Sequence, residues 1–494
     1  MTRRRLSGGA IVFALWWIAI QVLTRTARAP LAWSMRMSTT RAAAGLAALI
    51  AVAGAAPGAA TQPEGAVVFR GATIVDGTGR PPMPSATIVV TGDRITWVGP
   101  DAAVTLPPNA RVIDARGRTI YPGLADLHVH LQGGWDGERA DYLNFGRYLD
   151  GLLYSGVTTV LDTGNSMPFI TQIKQEINAG RLRGPRVFCV GPMIDSGDPI
   201  WPSLAEPLSS YGQVPRLLQR LVANHVDLVK GYAGLSDLHL NALAQEARRV
   251  NLRVIADVWE RNGSPSASRT GIYAFAHAPH AVDVTPELAR EMAGRGMAVI
   301  STLTVRESFA NTRMQDLSFL DQPLIKDVTP PNFLTEIREA AARGDFGLNG
   351  PGMDTYRAWL PRTNANLMTM WREGVLVAAG TDAPYPGVFQ GEGLHRELEL
   401  LVAAGLTPVQ AIQAATRNAA RFMDGASADW GSIEVGRRAD LVIVSGRPHE
   451  RISDTRTIVD VMQAGRLLDR TALKVRPGEP SYRTTATLMH RTAR

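Results

Sequence analysis

The chain has 494 residues, 45% of them hydrophobic and 20% charged, with a formal net charge of +7. That mixture excludes a largely disordered chain and leaves room for a sizeable core. The positive balance does not point to nucleic acid: residues 1–60 hold seven arginines and no acid, and the remainder is even at 45 basic and 45 acidic residues.

The first elements read as targeting sequence, twice over. Leu6–Leu23 is uncharged, stands behind Arg3-Arg4-Arg5 and is followed by Ala27-Arg28-Ala29. Met35-Arg36-Met37 and Arg41 then open a second basic region before the apolar run Ala42–Ala56, and Ala56-Pro57-Gly58-Ala59-Ala60 supplies small residues for a signal peptidase. The second unit is the better signal peptide, which places the true translation start at Met35 or Met37 and the mature chain near Thr61. The expected location is periplasmic or secreted. The alternative is an uncleaved membrane anchor, for which 18 residues are barely long enough. The single cysteine, Cys189, excludes an internal disulfide.

Past residue 64, Ala66–Phe69, Ala72–Val75, Ala86–Val90 and Arg94–Val98 read as strands, the last two joined by the turn Thr91-Gly92-Asp93. The middle of the chain alternates eight apolar runs with helical stretches. These runs are Ala125–His130, Thr158–Asp162, Arg186–Val190, Asp227–Lys230, Arg253–Val258, Tyr273–His277, Ala298–Thr302 and Val375–Ala379. Eight βα repeats over this length are what a closed parallel barrel needs. Ile194–Pro215 reads as a loop, and Val305–Asn364 as short helices over the barrel mouth. Ala439–Val444, Thr457–Gln463 and Gly465–Leu468 return to strands. The expected fold is therefore α/β: a (β/α)₈ barrel over 123–430 and a small β-sandwich built from both chain ends, 65–122 and 431–470. Residues 1–60 form a targeting segment and 471–494 a tail, loose after Val475.

Candidate chemistry collects at the ends of the barrel runs. His128 and His130 are two apart on the first, so a strand's period of two puts both imidazoles on one side, enough for half of a zinc site. Two histidines on one strand face can also simply pack. Lys230 ends the fourth run, His277 the sixth, and Asp382 follows the eighth, all on the face where barrel active sites are built. Lys230 stands out because the chain has 48 arginines and only four lysines. Arginine cannot lose its proton in a protein, whereas a buried lysine can; a salt bridge to Asp227 or Asp257 is the plainer reading. Tyr232, two past Lys230, could donate to a substrate carbonyl or carboxylate, or only pack. His395 suits a supporting or capping role, and His225, His239, His449 and His490 read as surface residues.

The segments Tyr121-Pro122-Gly123-Leu124-Ala125-Asp126-Leu127-His128-Val129-His130 and Gly380-Thr381-Asp382-Ala383 carry a resemblance, as do Leu394–Leu398, Ala414–Ala420 and Gly431–Leu441. In that order they resemble the amidohydrolase superfamily, in particular its imidazolonepropionase-like and Xaa-Pro-dipeptidase-like branch, from about Gly65 to Leu468. The resemblance implies one or two divalent ions, expected to be Zn²⁺. His128, His130 and Asp382 would hold one, and a carbamate formed by CO₂ on Lys230 would bridge to a second bound through His277. Asp382 would also take the proton of the attacking water. The chain departs from the family on the fifth run, where Asp257 stands at the position expected for a histidine ligand; His280 is a weak substitute. The implied reaction is hydrolysis of an amide or other C–N bond in a dipeptide, N-acyl amino acid or cyclic amide. Alternatives are an esterase, lactonase or phosphotriesterase using the same site, or a non-catalytic binding protein lacking the second metal. The partner is a small molecule, with no nucleic acid, and the membrane enters only through the signal or an uncleaved anchor.

Overall fold

The computed structural model describes residues 65–134, 140–344 and 351–476. The targeting segment, His490 and most of the tail lie outside these residues. Among the described residues, no helix is long and apolar enough to cross a membrane.

β1 (Val67–Ile74), β2 (Met83–Thr91) and β3 (Arg94–Pro100) are successive antiparallel neighbours. The two runs read separately at 66–69 and 72–75 are one strand. Register shifts on either side of Ala72 bend it without ending it. β4 (Arg111–Asp114) and β5 (Thr119–Pro122) pair parallel with β1 and were not anticipated; β4 is mostly exposed, so no apolar alternation marks it.

Parallel strands follow. β6 (Leu124–Val129), β7 (Val157–Asp162) and β8 (Arg186–Cys189) form one sheet. β9 (Met193–Ser196), β10 (Ala205–Leu208), β11 (Val229–Gly231), β12 (Val254–Ala256), β13 (Ala274–Phe275), β14 (Ala298–Ile300) and β15 (Leu376–Ala378) form another, in the order β10-β9-β11-β12-β13-β14-β15. Each of the eight apolar runs overlaps one strand. Most are short and buried throughout, as expected where both faces of a parallel sheet are covered. Backbone bonds also run from one sheet to the other. Leu127 N–H donates to the Ala379 carbonyl, Asp382 N–H to His128, His130 N–H to Ala383, and Asp227 N–H to Cys189. One buried cluster draws on all eight segments, including Leu127, Leu161, Val190, Leu228, Ile255, Ala274, Ile300 and Ala378; Phe422 and Trp430 also pack into it. Truncating a fully buried leucine such as Leu127 to alanine costs about 2–5 kcal/mol.

Two expectations need correction here. Ile194–Pro215 is not a bare loop, because β9 and β10 lie within or across it and pair in parallel. The stretch 305–364 is helical as expected, with Leu303–Phe309, Pro323–Lys326 and Pro331–Arg343, but it ends in a long helix, Pro351–Arg372.

β16 (Leu441–Val444), β17 (Ile458–Gln463) and β18 (Arg466–Leu467) complete the first sheet, where β16 pairs antiparallel with β5. Both chain ends thus build one continuous eight-stranded sheet, β18-β17-β16-β5-β1-β2-β3 with β4 beside β1, rather than two hydrogen-bonded layers. Arg94 bridges Arg438, and Phe69, Ile88, Ile120, Leu441 and Met462 share one buried cluster. A long run of short twisted strands can curl over its own apolar face, which a two-layer reading of the sequence does not separate from a sandwich. The chain just before the loose stretch is docked. Lys474 pairs with Asp327 at 2.8 Å and its carbonyl accepts from Arg147, while Val475 N–H donates to Asp327.

His395, on the helix Glu392–Ala404, is fully buried. Its Nε2 lies 2.9 Å from the Ser155 carbonyl and its Nδ1 2.9 Å from the Thr455 hydroxyl. Burial, with Arg456 nearby, pushes its pKa down to about 4. The unfolded chain, with an ordinary histidine, therefore binds the extra proton first as pH falls, and stability is lost downward from about 6.5 toward 4. Linkage puts this loss at about 2 kcal/mol between pH ~7 and pH ~5. Urea titrations should show that His395→Gln, although less stable near neutrality, has a pH slope flatter by that amount. An unchanged slope would show that His395 does not report on this window.

Candidate metal-binding active site

β6 carries a bulge, since Asp126 pairs with Val160 and Val129 with Asp162. Side chains still alternate across it: Ala125 and Leu127 join the core cluster while His128 and His130 face the site. His128 Nδ1 lies 2.8 Å from the Ala276 carbonyl and His130 Nδ1 2.9 Å from that of Gly164. An imidazole that donates from Nδ1 to a carbonyl presents its bare Nε2 lone pair to the centre, the usual way a protein fixes a metal-binding tautomer.

Both Nε2 atoms lie 3.2 Å from Asp382 Oδ1. His128, His130 and Asp382 each bring a ligand atom within 4.8 Å of the others. Three neutral or anionic donors converging without a proton donor of their own are a donor set that suits a divalent cation. Asp382 is brought in by backbone. It has a φ of +64°, and its N–H is bonded to the His128 carbonyl at 2.7 Å. The preceding Gly380 has no room for a side chain, since a Cβ there would lie 2.4 Å from Ile300 and 3.0 Å from His128. Asp126, fully buried, ties the two strand ends together by accepting from His128 N–H, Thr381 N–H and the Thr381 hydroxyl. Burial raises its pKa to about 7.

Lys230, Asp257 and His277 form the other half. Lys230 is 1% exposed, and its Nζ lies 3.2 Å from His128 Nε2. Among the described residues no carboxylate lies within ion-pair distance of it, which removes the plain salt bridge to Asp227 or Asp257; Asp227 pairs instead with Lys174. Burial pushes the ammonium pKa down, against the pull of Asp257, Asp382 and Asp162. Asp257 Oδ2 meets His277 Nε2 at 3.2 Å, and His277 Nδ1 lies 2.7 Å from the Thr302 hydroxyl. Burial opposes the charge on both Asp257 and Asp382. The neighbouring His277, Lys230 and Arg306 for the former, and the three histidines for the latter, nevertheless keep both ionised well below the usual range. Burial and the adjacent Lys230 keep His128 neutral.

Tyr232 is buried. Its hydroxyl accepts from Trp201 Nε1 at 3.0 Å, and burial keeps it protonated, free to donate. It joins His130, Lys230, Asp257, His277 and Asp382 around a pocket that opens to solvent. The weaker candidates fall outside this group. His280 packs at a tilt against Trp359, 4.8 Å between ring centres, and is not among the converging donors. His225 is exposed, and His239 and His449 are partly so.

Sequence reasoning missed the supporting shell. Thr302, with a φ of +46°, orients His277. Glu397 accepts from Ser301 Oγ, Leu303 N–H, Thr304 N–H and Thr304 Oγ1, pinning the start of the helix Leu303–Phe309. The signal for Glu397 was present in the motif Leu394–Leu398, whose neighbour Arg396 also reaches Glu307 at 2.6 Å.

A parallel α/β core with donors at its strand ends that could hold a divalent cation is an arrangement that metal-assisted hydrolases use. The comparisons with known proteins agree. The profile of the amidohydrolase family matches residues 119–468. The chain is 26% identical to the imidazolonepropionase of Symbiobacterium thermophilum over 415 residues, 78% of this chain and 90% of that one. It is 23% identical to the ochratoxinase of Aspergillus niger over 473 residues, covering 83% and 88%. A solved Xaa-Pro dipeptidase with bound methionine in its active site superposes with a TM-score of 0.65 at 19% identity, over 82% of this chain and 99% of that one. The chain belongs to the amidohydrolase family and is a hydrolase acting on C–N bonds.

Proposed function

We propose that this protein hydrolyses the amide bond of a small molecule, a dipeptide, N-acyl amino acid or cyclic amide, with one or two divalent ions at the site, Zn²⁺ being the expected metal. The observation that carries this reading is the convergence of His128 Nε2, His130 Nε2 and an Asp382 carboxylate oxygen, each imidazole oriented through its other nitrogen. A bound divalent ion supplies Lewis acidity, polarising the scissile carbonyl and acidifying water. Asp382, held ionised, accepts the proton of the attacking water and passes it to the leaving nitrogen. Tyr232 donates to the substrate from the cavity wall. Lys230, buried without a carboxylate partner among the described residues, suits carbamate formation, because only a neutral amine adds CO₂. The backbone bonds joining β6 to the segment after β15, and Cys189 to Asp227, support closure of the eight strands into one barrel. Residues 1–60 support export, with cleavage near Thr61. N-terminal sequencing of periplasmic material tests this, and a mature chain beginning before Met35 would overturn the later start. The test of the function itself is metal analysis of protein purified without chelator, followed by a screen of dipeptides and N-acyl amino acids. Metal-free protein with no hydrolysis after metal addition would refute it.

Asp257 makes the second metal position unlike the first. A carboxylate reaches less far than an imidazole and adds charge. With Lys230 and His277 it forms a weaker second set. Asp257→Ala is expected to lower bound metal toward one ion per chain, whereas Asp257→His preserves or raises it. Stoichiometry by elemental analysis decides. Two ions in both wild type and Asp257→Ala would show that Asp257 is no ligand.

A further inference from the structure

The excursion between β8 and β11 brings a tryptophan onto Tyr232. β9 and β10 pair in parallel, and the connection between them carries Trp201. That connection is tied down by its backbone. Leu204 and Ala205 N–H both donate to the Trp201 carbonyl, and Met193 N–H donates to Leu204. Asp195, fully buried, accepts from the N–H groups of Ser196 and Ile200 before Trp201 and of Gly234 beyond β11. Tyr232 N–H in turn donates to the Ile194 carbonyl. Trp201 and Tyr232 are therefore held by one hydrogen-bonded unit, although thirty-one residues separate them.

Trp201 Nε1 donates to the Tyr232 hydroxyl oxygen at 3.0 Å. An indole N–H can only donate, whereas a phenol has one proton and two lone pairs. The contact therefore occupies a lone pair, and the Tyr232 proton cannot turn towards Trp201. Among the described residues no acceptor meets that proton. The ring cannot swing to find one. Lys230 Nζ stands 5.6 Å from its centre, Trp259 meets it edge-on with centres 6.5 Å apart, and Met193 and Leu204 share its buried cluster. Tyr232 and Trp201 both line the pocket that holds His130, Lys230 and Asp382. A donor locked in place before the reaction, with its proton uncommitted, stabilises charge that develops there without having to reorganise.

We infer that Trp201 is a positioning residue: by holding the phenol oxygen, it aims the Tyr232 proton at the substrate oxygen that gains charge as water adds. This rests on the amide-hydrolase reading, so one arm of the test needs no turnover. In metal-loaded protein labelled with ¹⁵N-tryptophan, the Trp201 indole resonance is assigned by its disappearance in Trp201→Phe, or in Trp201→Leu should that variant not fold. In Tyr232→Phe this resonance should move upfield, the direction of a lost hydrogen bond. The second arm uses an amide found by the dipeptide and N-acyl amino acid screen. Trp201→Phe should lower kcat about tenfold with KM little changed, and Tyr232→Phe about a hundredfold. The double variant should be no worse than Tyr232→Phe, because the tryptophan acts only through the tyrosine. An unmoved indole resonance would overturn the inference. So would losses that add in the double variant, or a Trp201→Phe effect confined to KM, either of which marks a wall contact. Hydrolysis of no amide by the wild type, with the indole shift present, would refute the proposed reaction and leave the hold of Trp201 on Tyr232 standing.

Discussion

Replacement of Lys230 by alanine is expected to abolish hydrolysis, by at least about a thousandfold, with partial recovery when bicarbonate and short carboxylic acids are supplied. The side chain is enclosed, touches the imidazole of His128 and has no carboxylate within ion-pair distance among the described residues. Asp257, Asp382 and Asp162 favour its charge only from beyond ion-pair distance, so its removal should not leave an orphaned ion-pair partner or unfold the protein. A small carboxylate can occupy the vacated position as a free anion, which is why recovery by formate or acetate separates a carbamate role from a packing role. Full activity and full metal content in Lys230→Ala would refute the carbamate.

Asp382→Asn is expected to lower kcat by about a hundredfold to ten-thousandfold, the range for loss of a general acid–base group. The choice of asparagine follows from the backbone. With a φ of +64° the position strains most side chains, and asparagine tolerates that region best after glycine. The variant thus removes charge and basicity without adding strain. Circular dichroism and melting temperature should stay close to wild type while activity falls, and metal bound through His128 and His130 should weaken. Retention of more than about a tenth of the activity would exclude Asp382 as the proton carrier.

The parts of this molecule that were legible in the sequence share a physical cause. The eight runs from Ala125 to Ala379 could be read because a strand covered on both faces must be apolar throughout, and a polar residue at its end, such as Lys230 or His277, then stands out. β4 and β5 escaped because Arg111–Asp114 is largely exposed and Thr119–Pro122 ends on a proline, so neither shows a period. The bulge in β6 was equally hidden, but it leaves intact the alternation that puts His128 and His130 on one face.

The pairing of β16 with β5 sets Leu441 against Pro122, more than three hundred residues apart in the chain. During synthesis the first five strands therefore emerge long before the strand that completes their sheet, and β5 must wait as an open edge while the whole parallel core is made. Such an edge is a template for pairing with another chain, and closing so long a loop is slow. A nascent chain stalled anywhere in the parallel core should therefore be recovered in aggregates even if that core is structured. Supplying β16 to β18 early, by a circular permutation that joins them ahead of β1, should raise the soluble yield without touching a single residue of the site.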